Sequence, residues 1–209
     1  MTDEPRTSNS DASHATAQAR PPMTDEEWME EFQRGSADGF TILFDRYKQS
    51  VYAFFRRRIT DTEAAEELTQ ETFLAVLRAK ERYRPETFFR VYLYAIAYKL
   101  LTKYRRKMAF RATFLGVAEE HHEPGAQPSI EADLSIRQAV GRLEPKDRDM
   151  VLLREFDLLS YAEIADVLQL PVNTVRSRLF RARTALRQLL ESSANPHAAT
   201  APLHTQEQA

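Results

Sequence analysis

Ser160 is followed three residues on by Glu163 at the head of the segment SYAEIADVLQLPVNTVRSRLFRARTALR. At this spacing each side chain satisfies a backbone donor that a helix start otherwise leaves orphaned. The pair therefore fixes where a helix begins. Ile164 and Leu168 then recur four apart, with the small Ala165 beside them. Pro171 disfavours helix at Leu170, and Asn173 is a suitable cap for a second helix. In that helix Val175, Leu179, Ala182 and Leu186 form the apolar face, and Arg176, Arg178, Arg181, Arg183 and Arg187 crowd the rest. No acid occurs between Val172 and Leu190. A short helix, a tight connection and a cationic second helix make a helix-turn-helix. That motif presents the start of its second helix to base edges in the major groove.

The remaining periodic segments are helical too. Thr24 with Glu27 predicts a capping box opening a short helix that carries Trp28 and Phe32. Phe40, Leu43, Phe44, Tyr47, Val51, Phe54 and Phe55 predict a helix over 40–58. Thr60 with Glu63 predicts another capping box, opening a helix from Asp61 to about Arg82 with Ala64, Leu68, Phe73, Val76 and Leu77 buried. After a break at Pro85, a third long helix is expected over 88–107, with Phe88, Tyr92, Ile96 and Leu100 partly buried. Further helices follow from near Ile130 to Gly141 and from Pro145 to about Phe156. No segment reads as a strand. The expected fold is all-α: two small helical domains joined by a flexible acidic linker, the C-terminal one a helix-turn-helix. The domains are expected at 24–111 and 132–191, the linker at 112–131, and disordered tails at 1–23 and 192–209.

Charge is partitioned along the chain. Residues 39–111 carry 16 basic and 8 acidic side chains, a balance of +8, while residues 112–134 carry none and 5, a balance of -5. Basic blocks of this kind are the footprint of a polyanion binder. The acidic N-terminal stretch and linker could shield them. The absence of cysteine excludes a disulfide framework and any cysteine metal site. His121-His122 lie in an acidic, Pro-containing stretch that reads as linker. No apolar run approaches the roughly 18 residues of a membrane span, and the N-terminus has no apolar signal core. A cytoplasmic protein with no direct membrane insertion is expected.

Three blocks together resemble the bacterial sigma-70-type factors, in their minimal extracytoplasmic-function (ECF) group. Residues 65–73, AEELTQETF, resemble the polymerase-binding helix. Residues 92–97, YLYAIA, leading into Tyr104-Arg105-Arg106-Lys107, resemble the promoter-melting and -10-reading helix. Residues 143–148, LEPKDR, with YAEIA at 161–165 and TVRSRLFRAR at 174–183, resemble the -35-reading domain.

The resemblance implies roles for named residues. Glu67, Gln70, Glu71 and Arg78 would face core RNA polymerase. Arg84, Tyr92, Lys99, Lys103, Arg105, Arg106 and Lys107 would hold the -10 element and the melted strand, with a pocket for a captured base around 81–87. Asn173, Thr174, Arg176, Ser177, Arg178, Arg181 and Arg183 would read the -35 element. Tyr92, Lys99 and Lys103 depart from the family's usual tryptophan, asparagine and aspartate. Asn173 replaces a usual glycine, and its tolerance of left-handed geometry would preserve the turn. The implied partners are core polymerase, promoter DNA and an anti-sigma factor. No catalytic residue, cofactor, metal or small-molecule substrate is implied. A conventional helix-turn-helix regulator that never binds polymerase explains residues 135–190 but leaves the other two blocks without a task. An enzyme built on Glu66, Glu67 and Glu71 would lack a nearby histidine.

Overall fold

The computed structural model describes residues 23–115 and 131–194, and every described element is helical. The expectations for 1–22, 116–130 and 195–209, including His121-His122, lie outside the described residues.

The first unit contains α1 (Asp25–Gln33), α2 (Ala37–Arg56), α3 (Thr62–Arg78), a 3-10 turn (Lys80–Arg82) and α4 (Phe89–Leu115). The Thr24–Glu27 capping box forms as expected. At α3 the cap is Asp61, one residue later than predicted, and its side chain accepts from the Ala64 N–H at 3.1 Å. A carboxylate at this position also complements the helix dipole. The helix stops at Arg78, not Arg82, and the chain tightens into the 3-10 turn. α4 runs eight residues beyond the expected Lys107, into the segment read as linker.

Aromatic rings fill this unit. Phe40 and Phe44 of α2 pack edge-on against Phe73 of α3, and Phe54 packs against Tyr94 of α4. Gly39 permits the close approach of α1 and α2, because a Cβ there would sit 2.4 Å from the Trp28 carbonyl oxygen. Two expectations about the core are corrected. Leu77 is 36% exposed, and Phe88 is 66% exposed. Phe88 precedes the first turn of α4, so the helical rotation brings its neighbour Phe89 inward. Tyr92, Ile96 and Leu100 are partly buried as expected.

The second unit contains α5 (Glu131–Gly141), α6 (Pro145–Glu155), α7 (Tyr161–Leu168) and α8 (Val172–Ala194). The Ser160–Glu163 capping box is present. Val175, Leu179 and Ala182 of α8 are buried against α6 and α7. Asn173 is not the cap of α8; it lies in the first turn. Thr174 and Val175 already donate to the Pro171 carbonyl, so the helix starts earlier. The left-handed residue of the turn is Gln169 (φ 54), where Leu170 N–H closes on the Ala165 carbonyl at 2.9 Å. That bond satisfies an end carbonyl of α7 in the manner of a Schellman cap.

The two units pack together through α4 and α7. Their boundary is ionic. Arg58 meets Asp157 at 2.9 Å and Asp149 at 3.5 Å, Arg57 meets Asp157 at 2.6 Å, Arg105 meets Asp149 at 2.6 Å, and Arg90 meets Glu163 at 2.8 Å.

Candidate nucleic-acid and polymerase interfaces

Three helix faces carry the residues singled out in the sequence. On α8, Asn173, Arg176, Ser177 and Arg181 are exposed and Thr174 is half-buried. Arg176 and Arg181 have no acidic partner within bonding reach among the described residues. Arg178 is paired with Asp147 at 3.3 Å, and Arg183 with Glu155 at 2.6 Å and with the Tyr161 hydroxyl at 3.0 Å. Those contacts hold the Arg183 guanidinium above its ordinary pKa, through the hydrogen bond to Glu155 first. Phe180, which the sequence reading passed over, is 71% exposed on this helix. Its position beside the inward Leu179 was the available signal, since adjacent helical residues point about 100° apart.

On α4, Lys99, Lys103, Arg106 and Lys107 are exposed and lie along one side at three- and four-residue spacing. Arg105 points to the other unit and is held by Asp149. Tyr92 turns into its own domain. Its ring packs edge-on against Tyr83 at 5.2 Å, and burial raises its pKa. Beyond the cations, Phe110 and Phe114 extend the face, with ring centroids 4.5 Å apart.

The loop over 81–87 is braced at both ends. Gln33 Nε2 donates to the carbonyls of Lys80 and Tyr83, at 2.7 and 3.2 Å. The buried Tyr83 donates its hydroxyl proton to the Thr87 carbonyl at 2.7 Å. Glu26 of α1 accepts from the Phe89 N–H at 2.9 Å, placing a carboxylate at the start of α4. Arg84 stays exposed at the loop surface.

On α3, Glu67, Gln70, Glu71 and Arg78 are exposed, and Leu74 (44%) and Leu77 share their face. The run Phe73-Leu74-Ala75-Val76-Leu77 has more apolar residues than one buried stripe can take. Phe73 and Val76 face the core, leaving the two leucines outside. The result is an apolar centre with a polar surround, the anatomy of a protein-docking surface. Thr69 and Thr72, both buried, donate to the carbonyls of Ala65 and Leu68.

Comparison with known proteins matches these faces to family regions. The Sigma-70 region 2 model matches residues 43–111, and the Sigma-70, region 4 model matches residues 133–186. The RNA polymerase sigma-H factor of Pseudomonas aeruginosa is 30% identical over 181 residues, covering 80% of this chain and 94% of that protein. This chain is an ECF-group member of the sigma-70 family. The ECF RNA polymerase sigma-E factor of Escherichia coli K12 is 34% identical over 178 residues, covering 78% and 93%. Among solved structures, CnrH in complex with the cytosolic domain of CnrY shares the fold of this sigma factor. Its TM-score is 0.62 at 24% identity, covering 80% of this chain and 97% of that one. The sigma factor RpoE of Bartonella quintana, solved with the anti-sigma factor NepR, gives a TM-score of 0.63 at 21% identity, covering 73% and 96%. Region 2 spans α3 and most of α4, and region 4 contains the helix-turn-helix. No described helix is long and apolar enough to cross a membrane.

Proposed function

We propose that this sigma factor binds core RNA polymerase, directs it to promoters with -35 and -10 elements, and helps open the DNA there. The single observation that supports this most is the coexistence of two exposed cationic helix faces, on α4 and α8, with the apolar-centred face of α3. Duplex binding alone requires only α8. A second cationic helix beside a braced loop is suited to single-stranded DNA, which is held by stacking and by backbone cations.

In this reading α3 docks on polymerase through Glu67, Gln70, Glu71 and Arg78 around Leu74 and Leu77. Lys99, Lys103, Arg106 and Lys107 track the phosphates of the -10 region, with Arg84 at the loop over 81–87 where a base is captured. Arg105 joins them only when released from Asp149, and Tyr92 supports the loop through Tyr83. Asn173, Thr174, Arg176, Ser177 and Arg181 meet the -35 element, with Arg178 and Arg183 at its flanks. Strand opening draws on captured bases and involves no covalent chemistry by this chain. The protein works in the cytoplasm, where polymerase is. An anti-sigma partner is inferred from the Bartonella sigma factor, which was solved in such a complex.

Run-off transcription with core polymerase on a library of promoter fragments tests this. Specific transcripts sharing two upstream elements are expected. A chain that neither co-purifies with core polymerase nor supports run-off would instead be a conventional helix-turn-helix regulator.

A further inference from the structure

The loop over 81–87 is held by a helix that lies outside the family match. α1 ends at Gln33, and the match to Sigma-70 region 2 begins at residue 43. Among the described residues, α1 is the one element other than the flanking α3 and α4 that hydrogen-bonds to residues 80–89. Gln33 Nε2 donates to the carbonyls of Lys80 and Tyr83 at 2.7 and 3.2 Å, and Glu26 Oε1 accepts from the Phe89 N–H at 2.9 Å. Lys80 adds a cation contact, 5.1 Å from the Phe32 ring centroid. Glu26 and Gln33 stand two helical turns apart on one face of α1, about 10 Å along its axis. That spacing lets one rigid element grip the loop where it leaves α3 and where it enters α4. α1 is itself fixed. Met29 is fully buried, and Asp25 accepts from Arg46 and Tyr47 of α2.

We propose that α1 is a positioning element for base capture, with Gln33 and Glu26 setting the shape in which the 81–87 loop receives an unpaired base. This rests on the proposed role of that loop. Of residues 81–87 only Tyr83 is buried, so little apolar burial defines the loop's conformation. Its own bonds, from the Thr87 N–H to the Arg84 carbonyl and from the Tyr83 hydroxyl to the Thr87 carbonyl, close the turn upon itself. The Gln33 and Glu26 bonds tie that turn to the bundle. A loop ordered in advance spares the captured base the entropy of ordering it.

The charge of α1 separates holding the loop from touching DNA. The helix carries Asp25, Glu26, Glu27, Glu30 and Glu31 and no basic residue. Such a face repels a phosphate backbone, so α1 acts on the loop and not on the nucleic acid. Glu26 also supplies, from a different helix, the negative charge that the start of α4 favours.

Promoter opening by the full-length chain with core polymerase, read by 2-aminopurine fluorescence in the -10 element, tests this. Q33A, and Q33M, which keeps the volume without a donor, should each slow opening about tenfold, the weight of roughly one or two hydrogen bonds. E26A should do the same, while E26Q stays near the parent, because its amide oxygen still accepts from the Phe89 N–H. A template already mismatched across the -10 element should restore the slow variants, since no base then has to be pulled from the duplex. Affinity for core polymerase should not change. In the free chain, amide hydrogen exchange over 81–88 should quicken in Q33A and Q33M. Opening at the parent's rate in Q33A, Q33M and E26A would overturn the proposal, as would unchanged exchange. So would a defect that persists on the mismatched template or comes with lost polymerase affinity, since α1 would then only support the fold. A parent chain that does not bind polymerase would sink the proposed function instead, and exchange in the free chain would still report whether α1 holds the loop.

Discussion

Arg58 Nη2 stands 2.9 Å from Asp157 Oδ2, with both side chains fully buried and each from a different helical unit. Such a pair is asymmetric to mutation. Losing one partner strands the other charge, at about 3–5 kcal/mol against the docked arrangement. Replacing both with apolar groups avoids that penalty, and the half-exposed Arg57 can turn to water. Asp157→Asn is therefore expected to unfold in two calorimetric transitions, one per unit, while Arg58→Met with Asp157→Leu keeps the parent's profile. Two transitions in the double variant would show that the ion pair itself joins the units, and that the penalty of a stranded charge is not what separates them in Asp157→Asn.

Glu163 works at the same boundary while capping α7. Burial pushes its carboxyl up, but the hydrogen bonds from Ser160 and Arg90 outweigh this and hold it below its ordinary value of 4.5. A depressed folded-state value contributes stability above the unfolded-state pKa, and that contribution is lost as pH falls through the folded one. The melting temperature should therefore decline below about pH 4.5, and Glu163→Gln should show less of that decline, from a lower starting point at neutral pH. Parallel curves for the two proteins would remove Glu163 from the account.

Leu158 occupies left-handed backbone at φ 56 with its side chain 69% exposed. A leucine there bears a steric cost of about 1–2 kcal/mol that a glycine avoids. Glycine gives back about 0.4–1 kcal/mol through the freer unfolded chain, and little apolar burial is lost. Leu158→Gly should thus stabilise by about 0.5–1 kcal/mol, a gain of roughly 2 °C for a chain of this size. Leu158→Ala keeps the Cβ and should gain nothing, so thermal melts of the two variants separate strain from side-chain loss.

The helices were legible in the sequence because their signals are local. The capping boxes at Thr24 and Ser160, the break at Pro85 and the apolar period of α8 each act within a turn or two. Boundaries slipped where two local options competed. Thr60 and Asp61 can both cap α3, and the carboxylate wins. Asn173 and Gln169 could each have made the turn, and Gln169 adopts the left-handed geometry. The contacts of Arg58, Arg105 and Arg90 had no local signature at all. Their partners lie 44 to 99 residues away, so only the packing of α4 on α7 brings them together.

Leu74 and Leu77 lie outside the core on the face assigned to polymerase. Buried apolar anchors dominate docking energies, whereas polar surrounds contribute little individually. Leu74→Ser and Leu77→Ser should each weaken core-polymerase binding by more than about tenfold, against a smaller effect for Gln70→Ala. Stability should move by less than about 0.5 kcal/mol, because neither side chain supports the fold. Competition binding to core polymerase, beside a denaturant melt, checks both halves. A large loss of stability would mean that these leucines belong to the core after all.

The arginines of α8 should separate by their present partners. Each phosphate neutralised by a cation contributes about 0.9 to the slope of log affinity against log salt. Arg176 and Arg181 are unpaired with acids among the described residues, so removing Arg181 should reduce that slope by about 0.9 and weaken binding to all duplexes alike. Arg178 differs because it must first leave Asp147 at 3.3 Å. Asp147→Asn should free it and raise affinity at low salt, with a steeper slope than the parent's. If Arg178 reads a base and does not merely meet a phosphate, Arg178→Ala will instead flatten discrimination at one base pair of the upstream element, by about 1–3 kcal/mol. Fluorescence anisotropy over a salt series, on a parent duplex and single-base variants, distinguishes the two roles. A slope unchanged by both Arg181→Ala and Asp147→Asn would place the DNA on another face of the second unit.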